Sequence, residues 1–302
     1  MFRDGAVSHI HYQGKTFAMF KKICFLSILS FFTLSSMQNL SSEIGPGDPI
    51  KNMPTLLSNE PTAAVSTWID SLYTHLSLEA KGLDKTAWYA ACKGYQYMLY
   101  KKQLRKSNLL TICDYSKSST EKRFYVIDMV QEKVLHFTWV AHGRNSGTEY
   151  ATAFSNKADS YKSSLGCMLT AETYIGGNGY SLRLDGKEIG INNNVRNRDI
   201  VIHGSQYVSM DRARAGMMMG RSFGCPALPD VSAKKIIDCI KGGSCFFAWY
   251  PQTSYAKNSR IMNAEFIWPI SKTFIQPVLA DSCTTHQDTV AICNQESNAV
   301  LK

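Results

Sequence analysis

The chain has 302 residues, 44% of them hydrophobic, and carries a formal net charge of +9. These proportions exclude global disorder and allow a sizeable core, in one large domain with extensions or two small ones. The basic residues are scattered, with only short clusters such as Lys101-Lys102 and Arg105-Lys106. With no zinc-finger or RNA-binding signature beside them, they read as solvated surface and exclude a nucleic-acid partner.

At the N-terminus, Lys21 and Lys22 precede an apolar run of 12 residues, Ile23 to Leu34. Basic residues before a run too short to span a bilayer have the layout of a secretory signal. Residues 1–36 are therefore expected to be an N-terminal extension and signal peptide, with translation starting at Met19. Export to the periplasm or cell envelope of a bacterium follows, with no stable membrane span once the signal is removed. Residues 37–62 hold Gly45-Pro46-Gly47-Asp48-Pro49, Pro54 and Pro61, and are expected to form a linker.

Residues 63–104 are expected to be helical, because Trp68, Ile69, Leu72, Tyr73 and Leu76 recur at the helical period. From about Leu109 the pattern changes. Residues 123–130 and 134–140 are β-rich runs on either side of Gln131-Glu132-Lys133, which predicts a hairpin. The stretch 141–197, rich in Gly, Ser, Asn and Thr, predicts short strands and long loops. Asp199 to Ile202 predicts a compact strand ending at His203. Asp230 is expected to cap a helix whose apolar face is Ile236, Ile237 and Ile240, ended by Gly242-Gly243. Phe246 to Tyr250 predicts a final strand, and residues 256–302 a tail of weak strand character. The fold class is mostly β (α+β): a β-rich catalytic domain over 105–255 with a small N-terminal helical segment.

The sharpest chemistry lies in Ile202-His203-Gly204-Ser205 and Gly220-Arg221-Ser222-Phe223-Gly224-Cys225-Pro226, with Cys225 standing 22 positions after His203. A thiol becomes a strong nucleophile only when deprotonated, so a neighbouring histidine that takes its proton is the expected partner. Gly224 leaves room for a substrate carbonyl beside the backbone, and amides near Cys225 are placed to stabilise an oxyanion. A His/Cys pair by its spacing alone is balanced by a buried histidine and a disulfide-bonded cysteine.

These segments resemble the catalytic domain of the L,D-transpeptidases, most closely the murein subgroup whose motif reads Gly-Arg-Ser-aromatic-Gly-Cys-Pro-Ala-Leu. Residues 220–228 match it throughout, and residues 140–147, 154–156 and 163–166 look similar to that subgroup. The resemblance covers about residues 105–250. It implies a β-rich catalytic fold and a two-step acyl transfer on peptidoglycan stem peptides. Cys225 is the implied nucleophile, and His203 the base, oriented by the main-chain carbonyl of Gly204. Neither metal nor organic cofactor is implied. Many family members carry a second histidine directly before Gly-Cys; here Phe223 stands there and is expected to wall the site. Ser222 is expected at the oxyanion position or capping a turn. Arg221 is expected to bind a substrate carboxylate or to form a structural ion pair. His142, in a second His-Gly, is a weaker substrate contact. Tyr174, Ser181 and Arg183 are expected along the groove. The alternatives are an L,D-carboxypeptidase or other hydrolase on the same scaffold, or a non-catalytic peptidoglycan-binding protein with Cys225 in a disulfide. Oligomeric state is left open.

Nine cysteines stand at 24, 92, 113, 167, 225, 239, 245, 283 and 293. Loss of Cys24 with the leader and a free Cys225 leave seven, enough for three disulfides of open connectivity. Cys239/Cys245 and Cys283/Cys293 are the expected local pairs, and Cys225 is expected as an accessible thiolate of low pKa. No paired zinc-type spacing occurs, so no structural metal is expected.

Overall fold

The structure is a computed structural model that describes residues 60–268. The signal segment, Met19, Cys24, most of the linker, the Cys283/Cys293 pair and most of the C-terminal tail lie outside the described residues. Among the described residues no helix is long and apolar enough to cross a membrane.

Two helices open the described chain, α1 (Ala63–His75) and α2 (Lys85–Tyr100). Thr62 caps α1 by accepting from the Val65 amide, and Asp84 caps α2 by accepting from the amides of Thr86 and Ala87. The apolar face expected from the helical period is the buried one: Ile69, Leu72 and Tyr73 face inward, and the Trp88 indole donates to the Ile69 carbonyl at 3.0 Å.

Strands β1 (Leu109–Asp114), β2 (Phe124–Asp128) and β3 (Lys133–Thr138) follow. β2 and β3 form the predicted antiparallel hairpin, in which Tyr125 pairs with Phe137 and their rings stack at 4.8 Å. Next come β4 (Gly166–Gly176), β5 (Gly179–Gly186), β6 (Val201–Ser205), the short α3 (Met210–Arg214), β7 (Ala227–Pro229), α4 (Asp230–Ile240), β8 (Cys245–Trp249) and α5 (Thr253–Asn258). All eight strands join one sheet in the order β3-β2-β1-β8-β4-β5-β6-β7. The β1–β8 and β6–β7 pairs are parallel and the others antiparallel. The fold is a β-rich sheet with few helices, as the composition of 105–255 implied.

β8 is the last strand in sequence but central in space. Every residue of β1 and β8 is buried, as expected of strands covered on both faces. Helix α2 packs on β8, β1 and β4, and α4 on β6, β7 and β5. The helices and the sheet share one apolar core containing Trp88, Tyr95, Phe124, Phe246 and Phe247. A buried Glu188 ties in the segment after β8: it accepts from the Cys167 amide at 2.7 Å, the Tyr255 hydroxyl at 3.1 Å and the Ser259 hydroxyl.

Four expectations need correction. β4 is a long strand of 11 residues inside the stretch expected to hold only short ones. Asp230 is the first residue of α4, while Pro229 holds the cap position without a side-chain cap bond. Residues 256–268 carry the end of α5 and turns, and Phe266 and Trp268 stack at 4.9 Å in the core. Cys239 and Cys245 do not pair, because Cys245 is a buried thiol that donates to Sδ of Met98 on α2.

Candidate active site

The site forms where β6 meets β7 at one end of the sheet order. In this parallel pair His203 lies beside Ala227 and Gly204 beside Leu228. Cys225, two positions before Ala227, is therefore level with Val201, and the Val201 amide points at Cys225 Sγ at 3.4 Å. The loop carrying Cys225 is fixed on its other side by residues 141–144. Ala141 donates to Ala227 O at 2.8 Å, Ser222 donates to His142 O at 3.0 Å, and Arg144 donates to Ser222 O at 2.7 Å.

Gly224 must be glycine here. Its φ of +123° lies outside the range side chains tolerate, and a Cβ would stand 2.8 Å from both the Ile200 side chain and the Lys162 carbonyl. Its amide donates to Ser222 Oγ at 3.1 Å, and its carbonyl accepts from Ser163 Oγ at 3.2 Å. Ser222 Oγ in turn donates to the Cys225 carbonyl at 2.6 Å. Ser222 is thus a turn-forming residue with its hydroxyl proton committed. Among the hydrogen bonds of the described residues, none uses the Cys225 amide.

His203 is 3% exposed, and its Nδ1 lies 2.7 Å from the Gly204 carbonyl. A carbonyl only accepts, so Nδ1 carries the proton and Nε2 keeps its lone pair. Burial lowers the imidazole pKa below its usual value, opposed by the Gly204 bond and by Asp230. The ring is neutral at pH 7. Gly204 has no side chain to obstruct α4: a Cβ there would lie 2.5 Å from Asp230 Oδ1 and 3.0 Å from Ala233 Cβ.

Cys225 is a free thiol, 7% exposed. Burial pushes its pKa up to about 11, against the lowering effects of the Val201 amide and the Arg198 charge. Its S–H is directed at the Asp199 carbonyl at 3.5 Å. The accessible low-pKa thiolate expected from the sequence is not the resting state, because desolvation outweighs the favourable partners.

His142 is built the opposite way. Arg123 Nη2 lies 2.8 Å from His142 Nδ1, and a guanidinium only donates, so Nδ1 accepts and the proton sits on Nε2. Burial, then the Arg123 charge, depress its pKa to about 3. Its imidazole is buried at 1% exposure, and its main-chain carbonyl holds the cysteine loop.

A model of the L,D-transpeptidase catalytic domain matches residues 79–249, more than half of the chain. The chain belongs to the L,D-transpeptidase catalytic domain family. The match begins before α2 and ends with β8. Solved structures similar to it include an L,D-transpeptidase from Mycobacterium smegmatis, with 12% identity, a TM-score of 0.30, and coverage of 47% of this chain and 59% of that one. The helical cell shape determining protein Pgp2 from Campylobacter jejuni has 12% identity and a TM-score of 0.31, over 54% of this chain and 57% of that one. An L,D-transpeptidase from Xylanimonas cellulosilytica has 11% identity and a TM-score of 0.28, over 68% of this chain and all of that one. No curated protein matches at the significance required. The first of these structures is matched over less than two thirds of its length, and the family assignment rests on the match to residues 79–249.

In this L,D-transpeptidase domain the other expected residues fall into two groups. Tyr174, Ser181, His203 and Ala227 form one row across β4, β5, β6 and β7, so Tyr174 and Ser181 share the histidine's level. Arg183 pairs with Val201 and stacks over Tyr174 at 4.3 Å, while bridging to Glu172 and Asp199. Among the described residues Arg221 forms no ion pair; its Nη1 donates to the carbonyls of Arg144 and Gly147 at 3.2 and 3.0 Å. Phe223 is 63% exposed and stands on the rim.

The sequence reading missed Arg198, Arg144 and Tyr161. Arg198 is half-buried and donates only to neutral oxygens: Ser155 O, Ser164 Oγ and Lys162 O at 2.6 Å each, and Ser160 Oγ at 3.1 Å. No spacing rule connects it to Cys225; the fold does. A cleft of about 410 Å³ lined by Phe154, Ser155, Asn156, Ile189 and Tyr255 contains neither His203 nor Cys225.

Proposed function

We propose that the chain is an exported peptidoglycan L,D-transpeptidase of the murein subgroup, with Cys225 as nucleophile and His203 as base. The observation that carries the reading is the His203 tautomer: the ring is anchored through Nδ1, which leaves the Nε2 lone pair free on a strand that pairs with the segment just after Cys225. Such a base accepts the thiol proton without prior ionisation.

The reaction begins when the Cys225 side chain turns from the Asp199 carbonyl and passes its proton to His203 Nε2. The thiolate attacks the carbonyl carbon after the L-centre of a diaminopimelate residue, and the Cys225 amide donates to the oxyanion. Collapse breaks the C–N bond, and D-alanine leaves with the proton returned by His203. A thioester remains. An amine of a second stem peptide then attacks it, His203 takes the amine proton, and release of the Cys225 thiol completes a crosslink between two diaminopimelates. Water in place of the amine gives the carboxypeptidase outcome. A non-catalytic role is disfavoured by the free Cys225 thiol.

The test is product analysis with a disaccharide-tetrapeptide donor, with and without an acceptor amine. The expected result is D-alanine release with a crosslinked dimer when acceptor is present. Trimmed tripeptide alone under both conditions would overturn the transferase assignment, and no D-alanine at all would overturn the enzyme.

A further inference from the structure

Arg144 reaches the cysteine loop from a separate segment. It follows Gly143, where a Cβ would lie 2.9 Å from Gly224 Cα, so the two backbones are in contact. The Arg144 amide is bonded to Ser222 O, and its carbonyl accepts from Arg221. The main chain is therefore held on both sides, while the side chain is exposed.

Its guanidinium lies 4.3 Å from the Tyr161 ring centroid and 4.7 Å from that of Phe223, and the two rings are 5.0 Å apart. Tyr161 has φ of +51°, a left-handed conformation that costs free energy in a residue with a side chain. Phe223 exposes most of an apolar ring two positions from Cys225. Both features are unfavourable in isolation, and both present an aromatic face to the same cation. A guanidinium stacked on aromatic faces keeps its N–H donors free for a planar, bidentate acceptor. Among the described residues Arg144 forms no ion pair.

We propose that Arg144, held by Tyr161 and Phe223, is a carboxylate-binding subsite for the C-terminal carboxylate of the peptide donor, on the residue that leaves. This rests on the reading of Cys225 as nucleophile. It assigns to Arg144 the role the sequence suggested for Arg221, which is occupied in holding the loop carbonyls. A bidentate guanidinium–carboxylate contact gives specificity as well as affinity. Donors ending in a free D-alanine carboxylate are selected, and donors blocked at that terminus are disfavoured.

Binding to the full-length Cys225→Ala protein separates this subsite from the chemistry. The probes are a diaminopimelate tetrapeptide ending in D-alanine, the same peptide as its C-terminal amide, and the peptide amidated on the diaminopimelate side-chain carboxylate. The free acid should bind about tenfold or more tighter than the C-terminal amide, in keeping with a charged hydrogen-bonded contact. Adding Arg144→Gln should bring the two to equal affinity, and Arg144→Lys should restore only part of the difference. Discrimination that persists in Arg144→Gln, or that is lost only for the side-chain amide, would overturn the subsite while leaving the enzyme reading intact. Failure of all three peptides to bind would overturn both.

Discussion

The Nδ1–H of His203 donates to the carbonyl of Gly204 at 2.7 Å, which leaves Nε2 as the ring's one lone pair. His142, in the chain's other His-Gly, has its Nδ1 lone pair taken by Arg123 and its proton on the opposite nitrogen. The two imidazoles share a sequence context but not a chemistry. His203→Ala should lower the rate of Cys225 acylation by about 10²–10⁴-fold. Recovery should come only as pH approaches the thiol's own value of about 11. Because burial lowers the His203 pKa, the acid limb of the wild-type profile should fall below pH 6.5. Intact mass after timed exposure to a carbapenem, across pH, reads all three. Folded His142→Ala should lose far less, and equal losses at both positions would remove the basis for choosing His203.

Cys225 is the most accessible of the six described cysteines at 7% exposure, against 0–2% for the others. Mild alkylation of native, non-reduced protein should label Cys225 first, and activity should fall in step with labelling. The reaction should be slow at neutral pH, since the resting thiol is protonated. Cys225→Ala should abolish turnover with little change in stability, as little volume is removed. Peptide mapping that found Cys225 in a disulfide in fully active protein would contradict its role.

Arg198 offers a charge to Cys225 without a competing carboxylate among its hydrogen-bond partners. Its interaction with the thiolate lowers the Cys225 pKa. Arg198→Met should therefore raise the pKa seen in the pH dependence of Cys225 alkylation, whereas Arg198→Lys should keep most of the effect. Both variants weaken the anchoring of residues 155–164, so a loss of stability alone does not separate them. An unchanged alkylation pKa in folded Arg198→Met would reduce Arg198 to a loop anchor.

Much of this arrangement was legible because the signals are local. The β2–β3 hairpin follows from two β-rich runs around a polar turn, and the strand expected before His203 is β6, although it starts at Val201 and runs past His203 to Ser205 because Gly204 and Ser205 pair with β7. The Gly-Arg-Ser-Phe-Gly-Cys loop carries its own turn chemistry in Ser222 and Gly224. Other features depend on contacts between distant segments. β8 became central by pairing with β1, more than a hundred residues earlier, and in that place the Cys245 thiol meets Met98 on α2. Arg144, Tyr161 and Phe223 come from three separate segments, so no periodicity links them. The thiol pKa was misjudged because residue type suggests reactivity, whereas desolvation depends on the packed loop.

The buried His142–Arg123 pair makes a specific prediction about acid stability. His142 titrates near 6.5 in an unfolded chain but at about 3 in the native one, because burial and then the Arg123 charge oppose its protonation. Below pH 6.5 the unfolded state therefore binds a proton that the folded state does not. Stability from this group is fully present above pH 6.5 and falls as pH drops from there towards 3, with a limiting slope of about 1.4 kcal/mol per pH unit. Buried Asp114 and Glu188 have raised pKa values and act in the opposite sense, so the wild-type curve alone does not isolate the histidine. The difference between wild type and His142→Gln does, since glutamine does not titrate and its side-chain oxygen can accept from Arg123. Urea unfolding at pH 7 and pH 5 should show wild type losing more stability than His142→Gln on acidification. Parallel losses in the two proteins would mean that His142 takes up a proton in the folded state, and that its contact with Arg123 is not the neutral one described above.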